Sequence, residues 1–245
     1  MEIYEVTYYR GALSMKIIPA VFAVALLGAA TLRADISASQ AKRLDEAASV
    51  LRELRDIPDK GIPEDVWNKA ACVAVVPGLK KAAFGIGGEF GKGVLSCRSG
   101  QSWSAPVFIE LAKGSAGFQI GAEQIDLVLL MMNRNGVEKL LGDKVNLGAD
   151  ASVAGGPVGR SAAAGTDARI TAEILAYSRA KGLFAGVDIS GGVLRPDKDA
   201  NAGIYGTDVT SRDVLFSNKV TIPPSAQALL RSLRDETRAT SGRKH

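Results

Sequence analysis

The residue types on which most enzymes rely for catalysis are scarce in this chain. The only histidine among its 245 residues is His245, in what we expect to be a terminal tail. Ser–His and Cys–His hydrolases, imidazole general bases and His-rich zinc sites all need a positioned histidine. Glu123 and Asp126 are the one acidic pair inside an apolar stretch, and we expect them to be solvated or salt-bridged. No catalytic residue and no enzyme activity are therefore predicted.

Two cysteines are the remaining candidates for covalent or metal chemistry. Cys72 and Cys97 lie in short apolar runs that are typical of strands, so they form a cross-strand disulfide if the register matches. The alternative is a pair of buried, unbonded cysteines, and the sequence leaves both open. Two thiolates without a usable imidazole do not complete a zinc shell, so no metal site is expected.

A glycine-rich segment at residues 85–93 is the most distinctive local motif, with glycine at five of nine positions. The dinucleotide-binding pattern would need glycine where Phe90 stands. The P-loop pattern would need glycine at Ile86 and a hydroxyl residue at Gly93. Because both patterns fail, no nucleotide or other cofactor is expected. Glycine here is expected to allow bulges, tight turns or close backbone approach in a curved sheet.

The first 34 residues are expected to form a targeting segment rather than part of the fold. Lys16 precedes an apolar run at residues 17–27, and small residues follow it. This order is the layout of a secretory signal peptide. The run is shorter than the roughly 20 apolar residues that a membrane-spanning helix needs. A permanent anchor is the alternative interpretation.

The mature chain is expected to be exported. Translation is expected to start at Met15, after an upstream extension, and cleavage is expected after Ala34 or Ala30. The product would be periplasmic or secreted, and peripheral on a membrane if it binds lipid. An oxidising compartment of this kind would allow the two cysteines to pair.

Residues 35–238 are predicted to form a single domain, followed by a disordered tail at residues 239–245. Leucines at three- and four-residue steps alternate with charged residues, which predicts an N-terminal amphipathic helix at about residues 36–57. Its apolar stripe contains Leu44, Leu51 and Leu54. Further helices are predicted at about residues 64–70, at 136–141, and around Leu229, Leu230 and Leu233.

Between these helices, short apolar runs alternate with glycine-containing turns. Regular spacing of this kind indicates a mainly antiparallel sandwich or barrel of about eight strands. The fold class is therefore predicted as α+β. The predicted strands are residues 72–76, 82–86, 93–98, 103–111, 117–131, 145–153, 170–179 and 183–194.

The basic residues are too few and too scattered for a nucleic-acid-binding stripe, since the formal net charge is only +4. No nucleic-acid partner is expected. Bases at the glycine turns would form a patch for anionic headgroups if those turns gather at one end of the barrel. Ordinary solubilising charge is the alternative. The candidates are Lys80, Lys81, Lys92, Arg160 and Lys181.

Four ordered motifs resemble the SYLF domain, a lipid-binding module also described as the Ysc84-type actin-binding domain. They are Trp-Ser-Ala-Pro at 103–106, Gly-Phe-Gln-Ile-Gly at 117–121, the segment 147–160, and the segment 177–187. The resemblance covers about residues 40–233. It implies a non-catalytic, membrane-associated domain. Some eukaryotic members bind phosphoinositides, some fungal members bundle actin, and similar bacterial members are generally exported.

The leading hypothesis is an exported protein that binds anionic headgroups, of phosphoinositides or other phospholipids. The five candidate bases would contact the headgroups, and the stripe of Leu44, Leu51 and Leu54 would supply the apolar contact. Actin is not expected as a partner of an exported bacterial chain. The alternative is a cell-envelope structural or protein–protein interaction module without a lipid ligand, in which the N-terminal helix packs on the barrel.

Overall fold

The architecture comes from a computed structural model of the chain. The predicted signal peptide, the start at Met15 and the predicted tail beyond Ala239 lie outside the described residues, as do Arg160 and Lys181, so these expectations stay predictions. The described residues are 36–55, 61–158, 172–180, 183–217 and 219–239.

Six α-helices lie within the described residues, and a 3₁₀ turn, Pro224–Ala226, leads into the last of them. The helices are α1 (Ala38–Arg55), α2 (Glu64–Lys69), α3 (Arg134–Gly142), α4 (Lys198–Tyr205), α5 (Ser211–Phe216) and α6 (Gln227–Ala239). The strands are β1 (Cys72–Ser99), β2 (Ser102–Trp103), β3 (Val107–Met131), β4 (Val145–Asn146), β5 (Val153–Gly155), β6 (Ile174–Ala180), β7 (Leu183–Gly186) and β8 (Gly192–Pro196).

The strands form one curled sheet in the order β2-β1-β3-β6-β5. In addition, β8 pairs with β3 and β4, and β7 pairs with β6. Every described pairing is antiparallel except that of β5 with β6. The predicted α+β class with a mainly antiparallel sheet is therefore confirmed. None of the helices in the described ranges has both the length and the apolar character to span a bilayer.

The glycine-rich segment does not separate strands, as the sequence predicts, but bends one long strand. β1 pairs with β3 from Cys72 to Leu95, with register shifts after Val76 and after Phe84. The first shift contains a proline followed by Gly78, whose φ is +57°. Proline inside a sheet is confined largely to edges and bulges because it has no N–H to donate. The predicted strands 72–76, 82–86 and 93–98 are therefore parts of one bulged strand, β1.

The bent strand β1 packs against itself, and we call this contact the β1 crossing. A Cβ atom on Gly91 would lie 2.6 Å from Val76 Cγ1, and one on Gly93 would overlap the carbonyl oxygen of Val75. Glycine at both positions therefore lets the two halves of the strand approach at backbone distance. The predicted role of these glycines in close backbone approach is confirmed.

A disulfide between Cys72 and Cys97 joins the two ends of β1. The sequence left the state of these cysteines open. Their Cα atoms are 3.9 Å apart, and the Arg98 N–H donates a 2.9 Å hydrogen bond to the Ala71 carbonyl beside them. The bridge therefore links two halves of one strand, whereas the sequence suggested two different strands.

Two other predicted strands are broken by turns that need glycine in the left-handed region. The predicted strand 145–153 consists of β4, a turn and β5, and Gly148 in the turn has a φ of +89°. The predicted strand 183–194 consists of β7 and β8, with Gly191 between them at +81°. A residue with a side chain rarely adopts such φ values, so the turns depend on glycine.

The core has two apolar layers, one inside the curled sheet and one between the sheet and the helices. α1 and α6 cover the outer layer, and α1 packs on both β1 and α6. Leu44, Leu51 and Leu54 are all buried in this layer. The predicted contact of these leucines with lipid stays a prediction, and it would require α1 to leave the sheet. The periodicity predicted the apolar face correctly, but the protein's own core covers it.

Candidate functional site

Five charged side chains from five elements meet beside the first turns of α1. They come from α1, β1, β3, β8 and the residue before α4. We call them the ion-pair cluster: Arg43, Lys92, Glu110, Arg195 and Asp197.

The two carboxylates connect the three cations of the ion-pair cluster into a chain. Asp197 Oδ2 lies 3.0 Å from both Arg43 Nη1 and Lys92 Nζ. Lys92 Nζ also lies 2.8 Å from Glu110 Oε1. Arg195 donates to Glu110 Oε2 through Nε at 3.0 Å and Nη2 at 2.8 Å. Each carboxylate is therefore bonded to two cations, as a partly buried charge requires.

Sequence-local rules position the carboxylates. Asp197 is the N-cap of α4, and its side chain accepts a hydrogen bond from the Ala200 N–H, as aspartate commonly does at a helix start. Asn201, one turn later, accepts from the Phe108 N–H and donates to the Phe108 carbonyl, both at 2.8 Å. The Asn201 amide thus makes the two backbone hydrogen bonds that a neighbouring strand would otherwise make with Phe108, and in doing so it attaches α4 to the sheet.

The ion pairs shift the pKa values of Lys92, Glu110 and Asp197 in the direction that favours their charged forms. The hydrogen bond from Lys92 lowers the pKa of Glu110 and outweighs the effect of burial. Burial alone would raise the pKa of Asp197, but hydrogen bonds from Lys92 and Arg43 lower it below its ordinary value. The Glu110 carboxylate in turn raises the pKa of Lys92. Lys92, Glu110 and Asp197 are therefore each stabilised as ions by their partners.

A second ionic contact ties α1 to the far end of the sheet. Asp126 accepts hydrogen bonds from Arg179 Nε at 3.0 Å and Nη2 at 2.6 Å, and from the Gly78 N–H at 2.9 Å. Arg179 also pairs with Glu53 of α1. The predicted salt-bridge role of Asp126 is confirmed, and α1 is held at both ends by charged contacts.

Three of the five predicted bases lie within the described residues, and their surroundings differ. Lys80 is exposed on β1. Lys81 forms a salt bridge in which its Nζ lies 3.6 Å from Glu89 Oε1. Lys92 belongs to the ion-pair cluster, where it bonds two carboxylates. Arg160 and Lys181 lie outside the described residues. In the described ranges, no three His, Cys, Asp or Glu side chains are grouped to hold a metal ion.

Segments 147–160 and 177–187, two of the motifs quoted above, pack around one buried tyrosine. The Tyr177 ring stacks on Phe184 with centroids 5.2 Å apart. A Cβ atom on Gly156 would overlap the Tyr177 ring, and one on Gly186 would overlap the Gly156 backbone. Burial raises the pKa of the Tyr177 hydroxyl, so it stays neutral. The small residues of these motifs therefore serve internal packing.

Comparison with known proteins identifies the family. The family model described as "Ysc84: Las17-binding protein actin regulator" matches residues 112–236. Protein YSC84 of Saccharomyces cerevisiae is 37% identical over 191 residues, which are 76% of this chain. The chain belongs to the Ysc84 family. The resemblance to the SYLF, or Ysc84-type, domain is thereby confirmed.

Other members of the Ysc84 family match to a similar extent. LAS seventeen-binding protein 3 of Saccharomyces cerevisiae is 37% identical over 185 residues, or 74% of this chain. Human SH3 domain-containing YSC84-like protein 1 is 36% identical over 197 residues, or 78% of this chain. The chain spans 40%, 39% and 56% of the lengths of the three relatives in turn. The relatives therefore contain further sequence that has no counterpart in the match.

Membership of the Ysc84 family corrects the partner expectations. The sequence led us to expect an anionic lipid surface as the partner and to exclude actin. The family is described as a Las17-binding actin regulator, and a 37%-identical relative is named for binding a protein. These descriptions point to protein and actin partners in the family, and so they contradict the partner set that the sequence led us to expect.

Sequence reasoning missed four of the five residues of the ion-pair cluster. Asp197 carried a usable signal, because it follows Pro196 and precedes a helical stretch, where an N-cap is expected. Glu110 carried another, because a lone carboxylate inside a buried strand needs a cation nearby. Arg43 and Arg195 carried none, since each is distant in sequence from the carboxylate that it binds: 154 residues separate Arg43 from Asp197, and 85 separate Arg195 from Glu110.

Proposed function

We propose that this member of the Ysc84 family is a non-catalytic protein-binding module of the actin-regulator type. The observation that carries the proposal is the family match, because the family is described by the proteins that its members bind and regulate. The ion-pair cluster agrees with this role, since both of its carboxylates are bonded to cations and none of its side chains is arranged as a nucleophile with its base.

The packing of α1 supports protein binding over insertion into a bilayer. Interfacial helices bind membranes by placing an apolar face among the lipid chains. In α1 that face is buried against β1 and α6, and charged contacts hold both ends of the helix. Releasing it would expose several leucines to water and break those contacts. A protein-binding surface elsewhere on the fold would not require α1 to leave the sheet, and this favours protein binding.

Co-sedimentation of the full chain with filamentous actin tests the proposal. We expect the chain to pellet with filaments in a saturable manner and to remain in the supernatant without them. Serum albumin serves as the control for trapping in the pellet. If the chain stays in the supernatant across the micromolar range of actin, the actin-regulator proposal fails.

The finer hypothesis of anionic-lipid binding is tested alongside it. Vesicles of phosphatidylserine and phosphatidylcholine replace actin in the same assay, at low and at physiological salt. We expect no binding to either vesicle, because the described apolar stripe of α1 is buried. Binding to phosphatidylserine alone, weakened by salt, would support the lipid hypothesis instead.

As an alternative to a role beside cytosolic actin, we propose that the chain works in an oxidising compartment, as the predicted export requires. The Cys72–Cys97 disulfide supports this proposal, because disulfides persist mainly outside the reducing cytosol. Alkylation of free thiols in a native extract, followed by mass spectrometry, tests it. We expect both cysteines to be protected from the reagent until reduction. Complete labelling before reduction would contradict export.

A further inference from the structure

The sheet face that carries α1 continues beyond the helix. Side chains at cross-strand positions share a face, and the same face recurs at every second residue. Val94 and Phe108 form a row buried by the helices, and Lys92, Glu110 and Arg195 form the next row. Beyond that row lies what we call the outer sheet face: Gly88, Phe90, Ala112, Gly114 and Val193.

The outer sheet face is apolar and open to water. Phe90 is 45% exposed, and it is one of two large apolar side chains classed as exposed within the described ranges. Ala112 and both glycines are exposed around it, and Val193 is half-buried. An exposed aromatic side chain on an apolar face is a common feature of protein-binding surfaces, because its burial contributes much of the binding energy.

The glycines of the outer sheet face have no internal explanation. A Cβ atom on Gly114 would meet nothing within 4 Å, and one on Gly88 would make only an ordinary 3.7 Å contact. Neither position has a positive φ. Glycine weakens a strand, so its use where a side chain would fit points to close approach of another backbone or ligand. The space above Gly88 and Gly114 is therefore suited to a partner's main chain.

The ion-pair cluster gives one border of this face a positive charge. The carboxylates lie beneath the cations, with side-chain exposures of 14% for Glu110 and 7% for Asp197. The side chains of Lys92 and Arg195 are 43% and 57% exposed. Ammonium and guanidinium groups bring three and five N–H donors respectively, enough to serve a further acceptor. A carboxylate on a partner would find these cations already positioned.

We propose that the outer sheet face binds a segment of another protein. An apolar side chain of that segment packs against Phe90, and a carboxylate pairs with Lys92 and Arg195. This inference rests on the proposed protein-binding function and locates it. The occupant is an acidic protein segment because the border is positive and the glycines leave room for a backbone. A lipid surface and a second copy of this chain are alternative outcomes of the test.

The first experiment measures binding of three full-length variants to filamentous actin. Phe90→Ala removes the apolar contact, and Arg195→Gln removes one cation while keeping a polar side chain. We expect each to weaken binding by about tenfold, as loss of a central interface contact does. Leu183→Ala is the matched control, because Leu183 is 71% exposed on β7 and lies off this face. We expect it to change binding by less than about twofold.

The second experiment does not depend on actin. The ¹⁵N-labelled full chain is titrated with a synthetic peptide of alternating Glu and Leu, and with its Lys–Leu counterpart. We expect the acidic peptide alone to shift the amide signals of Phe90, Lys92 and Arg195, and salt to weaken the effect. Thermal melts and light scattering of each variant report folding and self-association.

The outcomes separate this inference from the proposed function. If actin binds the wild type and Phe90→Ala equally well, the outer sheet face is not the site, although the protein-binding function stands. If actin does not bind but the acidic peptide shifts these amides, the actin-regulator proposal fails and the site stands. Shifts caused by phosphatidylserine vesicles alone, or by raising the protein concentration alone, would overturn the inference in favour of lipid or self-association.

Discussion

The β1 crossing and the outer sheet face both depend on glycine, but they leave very different space around it. In the crossing, a Cβ atom on Gly91 would press on Val76, and one on Gly93 would overlap a backbone oxygen. On the outer sheet face, a Cβ atom on Gly114 would meet nothing within 4 Å. Glycine therefore serves internal packing in one region and leaves open surface in the other.

The largest expected effect comes from adding one carbon atom to the β1 crossing. We expect Gly93→Ala to lower the free energy of unfolding by about 4 kcal/mol, because backbone would have to move to admit the methyl group. Gly88→Ala is the matched control on the same strand, and we expect a change within about 0.5 kcal/mol. Urea denaturation measures both. Equal effects of the two substitutions would remove the distinction between the regions.

Loss of the disulfide also weakens the β1 crossing. We expect the double variant Cys72→Ala and Cys97→Ala to lose about 3 kcal/mol, as expected for a bridge that closes a 25-residue separation. Binding through the outer sheet face is expected to persist while the variant is folded. Denaturation without reductant gives the stability. A variant as stable as wild type would mean that glycine packing alone holds the crossing.

A smaller effect is expected at the border between the two regions. Asp197→Asn keeps the shape of the side chain but leaves Arg43 and Lys92 without this carboxylate. We expect a loss of about 2 kcal/mol, because Lys92 retains Glu110 as a partner. Asp199→Asn, on the exposed surface of α4, is the control for the loss of one negative charge. If both variants lose the same stability, the ion-pair cluster has no special role.

The smallest expected effect is the change of the free energy of unfolding with pH. The pKa values of Glu110 and Asp197 lie below their ordinary values of 4.5 and 3.8. Their contribution is therefore present above those values and is lost as pH falls through the lower folded-state pKa values. Urea midpoints from about pH 7 to about pH 3 measure this loss. We expect the urea midpoint of Asp197→Asn to fall less steeply with decreasing pH than that of the wild type. Parallel pH curves for the two proteins would contradict the role of Asp197.

Local sequence rules predicted the fold class and α1, but they did not predict α4 and α5 or the places where strands continue. The leucine spacing of α1 and the short apolar runs of the sheet led to the α+β class, because period and propensity act within a few residues. The same rules ended strands at glycines within residues 77–93, where the structure continues them through bulges. A glycine that bends a strand and one that ends it look alike in sequence, since both lack a side chain.

The candidate site was the hardest part to predict. Of its five residues, only Lys92 was expected in a functional role, and as a lipid contact. Lys92, Glu110 and Arg195 occupy matching cross-strand positions on β1, β3 and β8, and this register is a property of the paired sheet. Gly88 and Gly114 likewise differ from Gly91 and Gly93 only in the atoms that a Cβ atom at each position would meet. These atoms come from other parts of the folded chain.

The sequence by itself determined the α+β class, the family and the apolar face of α1, because these depend on residue type and local spacing. Only the tertiary structure decided which surface covers that face. Leu44, Leu51 and Leu54 would suit a membrane as well as a protein core, since hydrophobic burial is not directional. The fold buries them internally and leaves Phe90 exposed beside Lys92 and Arg195, because packing and sheet register bring together residues far apart in the chain.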